Sequence, residues 1–126
     1  MRIKWGRAIV ATLAAEVLGV LALIVLVAIF GPSSFKEATP FAERLGAYVG
    51  PISGFTLCMI GGWWTARAAL PADKVVNGAA MGMIAAALDL ALSLALGGHF
   101  VPLLAYSNVG RIIAGTLGGW LATRTA

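Results

Sequence analysis

Three ionisable residues sit in stretches that are otherwise apolar: Glu16, Asp89 and Arg111. Ala8–Phe30 holds no other charge than Glu16, Val75–Leu96 none but Asp89, and Leu103–Thr123 none but Arg111. Two carboxylates and a guanidinium in such surroundings can do one of two things. They can pair and hold helices in register, or they can take up and release a proton or small cation beside a counter-ion. Either use has to offset the same cost, at least roughly 2.5–3.5 kcal/mol for an ionisable group near the centre of a bilayer. No other chemistry is legible. His99 is the only histidine and Cys58 the only cysteine, which excludes an intrachain disulfide and reads as a small packing residue. No nucleophile–base pair, metal-ligating set or phosphate loop accompanies them, so we expect no catalytic residue, no metal, no cofactor and no enzyme.

The elements that must position these charges follow from composition. Of the 126 residues 60% are hydrophobic and 11% charged, against about 25% charged in a soluble domain. Tyr48–Ala66 is a fourth apolar run and carries no charge. Each run is long enough to cross a hydrocarbon core of about 30 Å at about 1.5 Å per residue. The expected fold is an all-α integral membrane four-helix bundle forming a single transmembrane domain over 1–126, with spans near 8–30, 46–68, 75–97 and 103–123. The first run is too long for the apolar part of a signal peptide.

Charge position gives the orientation. Arg2, Lys4, Arg7, Arg67, Lys74 and Arg124 fall on one side of these spans, and only Lys36 and Arg44 on the other. The positive-inside rule puts both termini in the cytoplasm, with the plasma membrane as the expected location. The pI of 9.9 is then a topology signal with some attraction for anionic lipid, and nucleic acid is excluded as a partner. Trp5, Trp63, Trp64 and Trp120 lie on the same side and read as anchors at headgroup level. Trp63 with Arg67 and Trp120 with Arg124 are i,i+4 pairs that can add cation–π contact, although anchoring alone explains them.

The chain also repeats itself. "GGWWTARAA" at Gly61–Ala69 returns as "GGWLATRTA" at Gly118–Ala126, and "AAEVLGVLAL" at Ala14–Leu23 lies over "ALDLALSLAL" at Ala87–Leu96. Two parallel-repeat helical hairpins, near 1–69 and 74–126, are expected, with the extra residues of the first in its outer loop, "GPSSFKEATPFAERLG". In that loop Ser34 and Glu37 have capping-box spacing, Thr39–Pro40 reads as a cap and first helical residue, and Phe35 and Phe41 can rest on the outer surface. Pro51 should kink the second span, and Pro102 should open the fourth.

Glycine spacing predicts close packing at Gly50/Gly54, Gly78/Gly82 and Gly115/Gly119, within one chain or between copies. Depth predicts the main contact. Asp89 and Arg111 both lie about 18–20 Å from the basic side, on spans joined by a short loop, so an Asp89–Arg111 ion pair is expected. Glu16 is then left over, because the repeat sets Gly54 opposite it. An unpartnered Glu16 is what a proton-coupled carrier would use, with Thr12, Ser93 and Asn108 as polar lining of a pore or cavity.

"AEVLG" at Ala15–Gly19 resembles the first helix of the small multidrug resistance transporters, compact four-helix proteins with an acid in that helix. The likeness covers five residues. Pro51 and the Gly/Trp-rich second span depart from that family, as do Asp89 and Arg111, and no function is carried over. The expected role is a structural or assembly subunit, with lipid, further copies of itself or a larger membrane complex as partners. The alternative is a small proton- or cation-coupled carrier or channel built on Glu16, Asp89 and Arg111.

Overall fold

A computed structural model describes residues 1–98 and 102–125, so His99 lies outside the described residues. The fold is all-α, four helices with no strand among the described residues. Helix α1 is Trp5–Phe30, α2 Phe35–Arg67, α3 Lys74–Ala95 and α4 Pro102–Arg124, with a single 3-10 turn, Pro71–Asp73, between α2 and α3. Helices α1, α2 and α3 (the last with its leading turn) are long and apolar enough to cross a membrane. Helix α4 is not among them, since Ser107, Asn108, Arg111 and its glycines dilute the apolar residues.

The first connection is shorter than the sequence suggests. Helix α1 stops where Gly31 turns extended, its N–H still donating to the Val27 carbonyl at 2.8 Å, and Pro32 brings no N–H to continue the ladder. Helix α2 then starts at Phe35 rather than near residue 46, and it continues through Pro40 and Pro51. Thr39 is inside the helix and not its cap: its hydroxyl donates back to the Phe35 carbonyl at 3.2 Å. Ser34 occupies the cap position but makes no side-chain capping bond. At 33 residues α2 is about 50 Å long, well beyond a 30 Å core. Its first turns carry Lys36, Glu37, Glu43 and Arg44, and the end of α1 meets them where Gly31 lies against Phe41.

Both termini lie at one end of the bundle, here called the terminal end, and hydrogen bonds lace that end together. The Arg2 N–H donates to the Asp73 carboxylate at 3.1 Å, Trp63 Nε1 to the Thr125 hydroxyl at 3.0 Å, and Lys74 Nζ to the Ala122 carbonyl at 2.8 Å. Asn77, fully buried on α3, is the centre of this lacing. Its Oδ1 accepts from the Lys4 N–H at 2.7 Å, and its Nδ2 donates to the carbonyls of Arg2 at 2.9 Å and Asp73 at 2.8 Å. One side chain thus replaces water for backbone groups on both sides of the chain entry. Asn77→Ala should lower stability by about 2–3 kcal/mol, because it strands several partly buried partners. The check is thermal unfolding in detergent, with faster trypsin cleavage after Arg2 and Lys4 as the local sign.

The core is built from small residues, with Ala8, Ala11, Cys58, Ala85 and Ala114 around Met81. Small side chains let backbones meet, and the glycines carry this furthest. A Cβ on Gly115 would come 2.5 Å from the Gly78 carbonyl oxygen and 2.9 Å from Gly82 Cα. A Cβ on Gly62 would come 2.5 Å from the Gly115 carbonyl oxygen. Helix α4 is therefore held backbone to backbone against α3 on one side and α2 on the other, and Gly119 and Gly118 extend the two contacts toward the terminal end. Gly50 departs from this pattern: nothing among the described residues lies within 4 Å of where its Cβ would be.

Candidate functional site

Burial stops at the level of the three charges. On α1 every buried residue precedes Glu16, and on α2 none precedes Gly54; on α3 none follows Ala86, and on α4 none precedes Arg111. The terminal half of the bundle is closely packed, and the far half opens. The charges lie on this boundary.

Arg111 is only 8% exposed. Its Nη2 donates to Asp89 Oδ1 at 3.3 Å, and its Nη1 donates to Glu16 Oε1 in a close ion pair. The Asp89–Arg111 contact joins the expected partners, but Glu16 is not the spare carboxylate. Its carboxylate pairs with Arg111 as well, and the guanidinium bridges α1 and α3 from α4. The repeat alignment misled here. It paired Glu16 with the α2 position matching Arg111, which is Gly54, whereas the long arginine side chain crosses over Gly54 to reach α1. A Cβ on Gly54 would lie 3.2 Å from Cζ, Nε and Nη2 of Arg111. Glycine there opens the slot in which the guanidinium lies, so all four helices meet at one side chain. Among the described residues Arg111 Nε has no acceptor. The guanidinium fork is planar and suits two carboxylates at once.

Two crevices reach the cluster from the far half. One, of about 170 Å³, lies between α1 and α2 and is lined by Glu16, Gly19, Gly46, Gly50, Ser53 and Arg111 among others. The second, of about 220 Å³, lies between α2 and α4 and includes Asp89, Ser93, Ser107 and Arg111. Pro51 lines this second crevice, and its ring removes the helical donor that the Ala47 carbonyl would otherwise meet.

The polar residues expected to line a cavity divide. Ser93 lines the second crevice. Thr12 does not line either: it is buried in the packed half, its hydroxyl 3.5 Å from the Met81 carbonyl. Asn108 donates to the Leu104 carbonyl of its own helix at 2.9 Å, and its Oδ1 has no partner among the described residues. Among the anchors, Trp5, Trp64 and Trp120 are exposed near the terminal end. The guanidinium of Arg67 lies 4.8 Å from the Trp63 ring and that of Arg124 5.1 Å from the Trp120 ring, so both i,i+4 pairs stack. A third stack was not legible in the sequence: Arg7 on α1 sits 3.7 Å over Trp64 on α2, and its Nη2 donates to the Trp64 carbonyl at 2.6 Å. Asn77 was missed as well. The one hint was a side-chain amide four residues after Asp73, at the start of an apolar run, where Asn commonly bonds to nearby backbone.

No protein-family model, curated protein or solved structure gives a significant match to this chain. Its function is therefore argued from the arrangement itself.

Proposed function

We propose that the chain is a four-span integral membrane protein, with both termini cytoplasmic, that serves as a non-enzymatic component of a membrane assembly. Its four helices derive from two similar hairpins, and Arg111 is the clamp that fixes them to one another. The observation that carries this reading is the bridging of Glu16 and Asp89 by Arg111 over Gly54, directly above a half-bundle closed by glycine backbone contacts. The three charges that could have formed a free binding site are engaged with each other. The inner location of the arginines and tryptophans supports the orientation.

The assembly role draws on Gly50. It lines the open half on α2, and nothing among the described residues lies within 4 Å of where its Cβ would be. Small residues on an unfilled helix face let a further helix approach closely, the usual means of association in lipid. Gly50→Leu should leave the isolated chain at least as stable as the parent, since leucine is the better helix former by about 1 kcal/mol. It should abolish the larger species seen by cross-linking in native membranes. A parent that cross-links only as a monomer, or a Gly50→Leu variant that associates unchanged, would count against the proposal.

One observation favours a second reading, a small proton- or cation-coupled carrier: both crevices reach the carboxylates. Such a carrier would lose flux in proteoliposomes on Glu16→Gln while staying folded. The assembly reading expects no Glu16-dependent flux.

A further inference from the structure

A groove between α1 and α2 in the terminal half is separate from the charged cluster. It measures about 260 Å³ and is walled by Val10, Ala14 and Leu18 of α1 and by Leu57 and Ile60 of α2, with Trp63 and Trp64 at its mouth. Ala11, Ala15 and Gly61 complete a lining that is entirely apolar. Val10, Leu18 and Ile60 are each more than half exposed. The groove runs about 12 Å along α1, from Val10 to Leu18. That is close to the hydrocarbon depth of one leaflet, half of about 30 Å.

The mouth is the distinctive part. Each of its two tryptophans carries a guanidinium: Arg7 on Trp64 at 3.7 Å and Arg67 on Trp63 at 4.8 Å. A second apolar groove, on the other flank of α1 beside Trp5 and Met83, has no stacked cation among the described residues. A slot one acyl chain deep with two cations at headgroup level is complementary to a lipid of negative headgroup. A protein helix laid in the groove would bring apolar side chains up to those guanidiniums and leave them without a counter-ion.

We infer that the α1–α2 groove binds one anionic phospholipid of the cytoplasmic leaflet, an acyl chain along Val10, Ala14, Leu18 and Ile60 and the phosphate at Arg67 and Arg7. This rests on the membrane orientation proposed above. The bound lipid bridges α1 and α2 beside the Arg7–Trp64 contact.

The test is native mass spectrometry of the detergent-purified chain titrated with phosphatidylglycerol or phosphatidylcholine of identical chains. One saturable phosphatidylglycerol site is expected, with clear preference over phosphatidylcholine. Arg67→Gln should weaken it about fivefold, the effect of one basic residue at a membrane surface. Ala14→Phe, at an exposed position that fills the groove, should remove the saturable site. Arg124→Gln deletes a stacked arginine away from the groove and should change binding less than twofold. Equal binding of the two lipids, an Arg124→Gln effect as large as that of Arg67→Gln, or unchanged binding by Ala14→Phe would overturn the site. So would a dimer that Ala14→Phe dissociates without any dependence on lipid. A parent that is folded in detergent but unselective fails the lipid site alone, whereas one that stays folded and monomeric without detergent fails the membrane reading.

Discussion

Arg111→Met should be the most damaging single change at the charged cluster, lowering stability in detergent by about 3–5 kcal/mol. The substitution keeps most of the side-chain length and removes the charge that both acids face. Glu16 and Asp89, whose side chains are 16% and 22% exposed, would then be two unpaired carboxylates in one poorly hydrated place. Removing either acid leaves Arg111 paired with the other, so Glu16→Gln and Asp89→Asn should each cost less than Arg111→Met in thermal unfolding. An acid substitution as damaging as Arg111→Met would mean that one carboxylate alone holds the guanidinium.

Gly115→Leu should be larger still and should leave no cooperatively folded protein. Over-packing a core commonly costs about 1–3 kcal/mol because side chains can shift aside. Here the obstacles are backbone. The added Cβ would meet the Gly78 carbonyl at 2.5 Å and Gly82 Cα at 2.9 Å, and the Gly62 side of α2 closes on Gly115 from another direction. Helix α4 would have to leave α3, α2 or both. A cost of about 5 kcal/mol or more is expected, in the exceptional range for a point substitution. Gly110→Leu is the matched comparison, since a Cβ there would meet only Phe55 at an ordinary 3.9 Å. The measurement is the yield of monodisperse protein in detergent and its helical unfolding transition. A Gly115→Leu variant that unfolds like the Gly110→Leu variant would refute the backbone contact.

Much of the architecture was legible because it depends on coarse quantities. Run length and charge position give helices and a common terminal end. The failures share a cause: each turned on reach or environment rather than residue type. Arg111 was matched to its neighbour in depth on the adjoining span, Asp89, but the side chain is long enough to touch α1 as well. Gly50 and Gly54 have the same spacing, yet one adjoins open space and the other a guanidinium. Thr39–Pro40 has the composition of a helix start, but the chain was already helical from Phe35. Pro40 is the sixth residue of α2, where it leaves the Lys36 carbonyl without its helical donor, and that this is tolerated could not be read from residue type. Asn77 could not be valued from sequence because its three partners lie in Arg2, Lys4 and Asp73, brought together only by the fold.

The central claim is that the three charges are there for each other. The most direct measurement is the unfolding midpoint in detergent of the neutral triple variant Glu16→Gln, Asp89→Asn, Arg111→Met beside that of Arg111→Met alone. Replacing an entire buried ionic group is commonly near neutral, whereas breaking it is costly. The account predicts a low midpoint for the single variant and recovery most of the way to the parent for the triple. A triple variant as unstable as the single, or a single variant as stable as the parent, would contradict it.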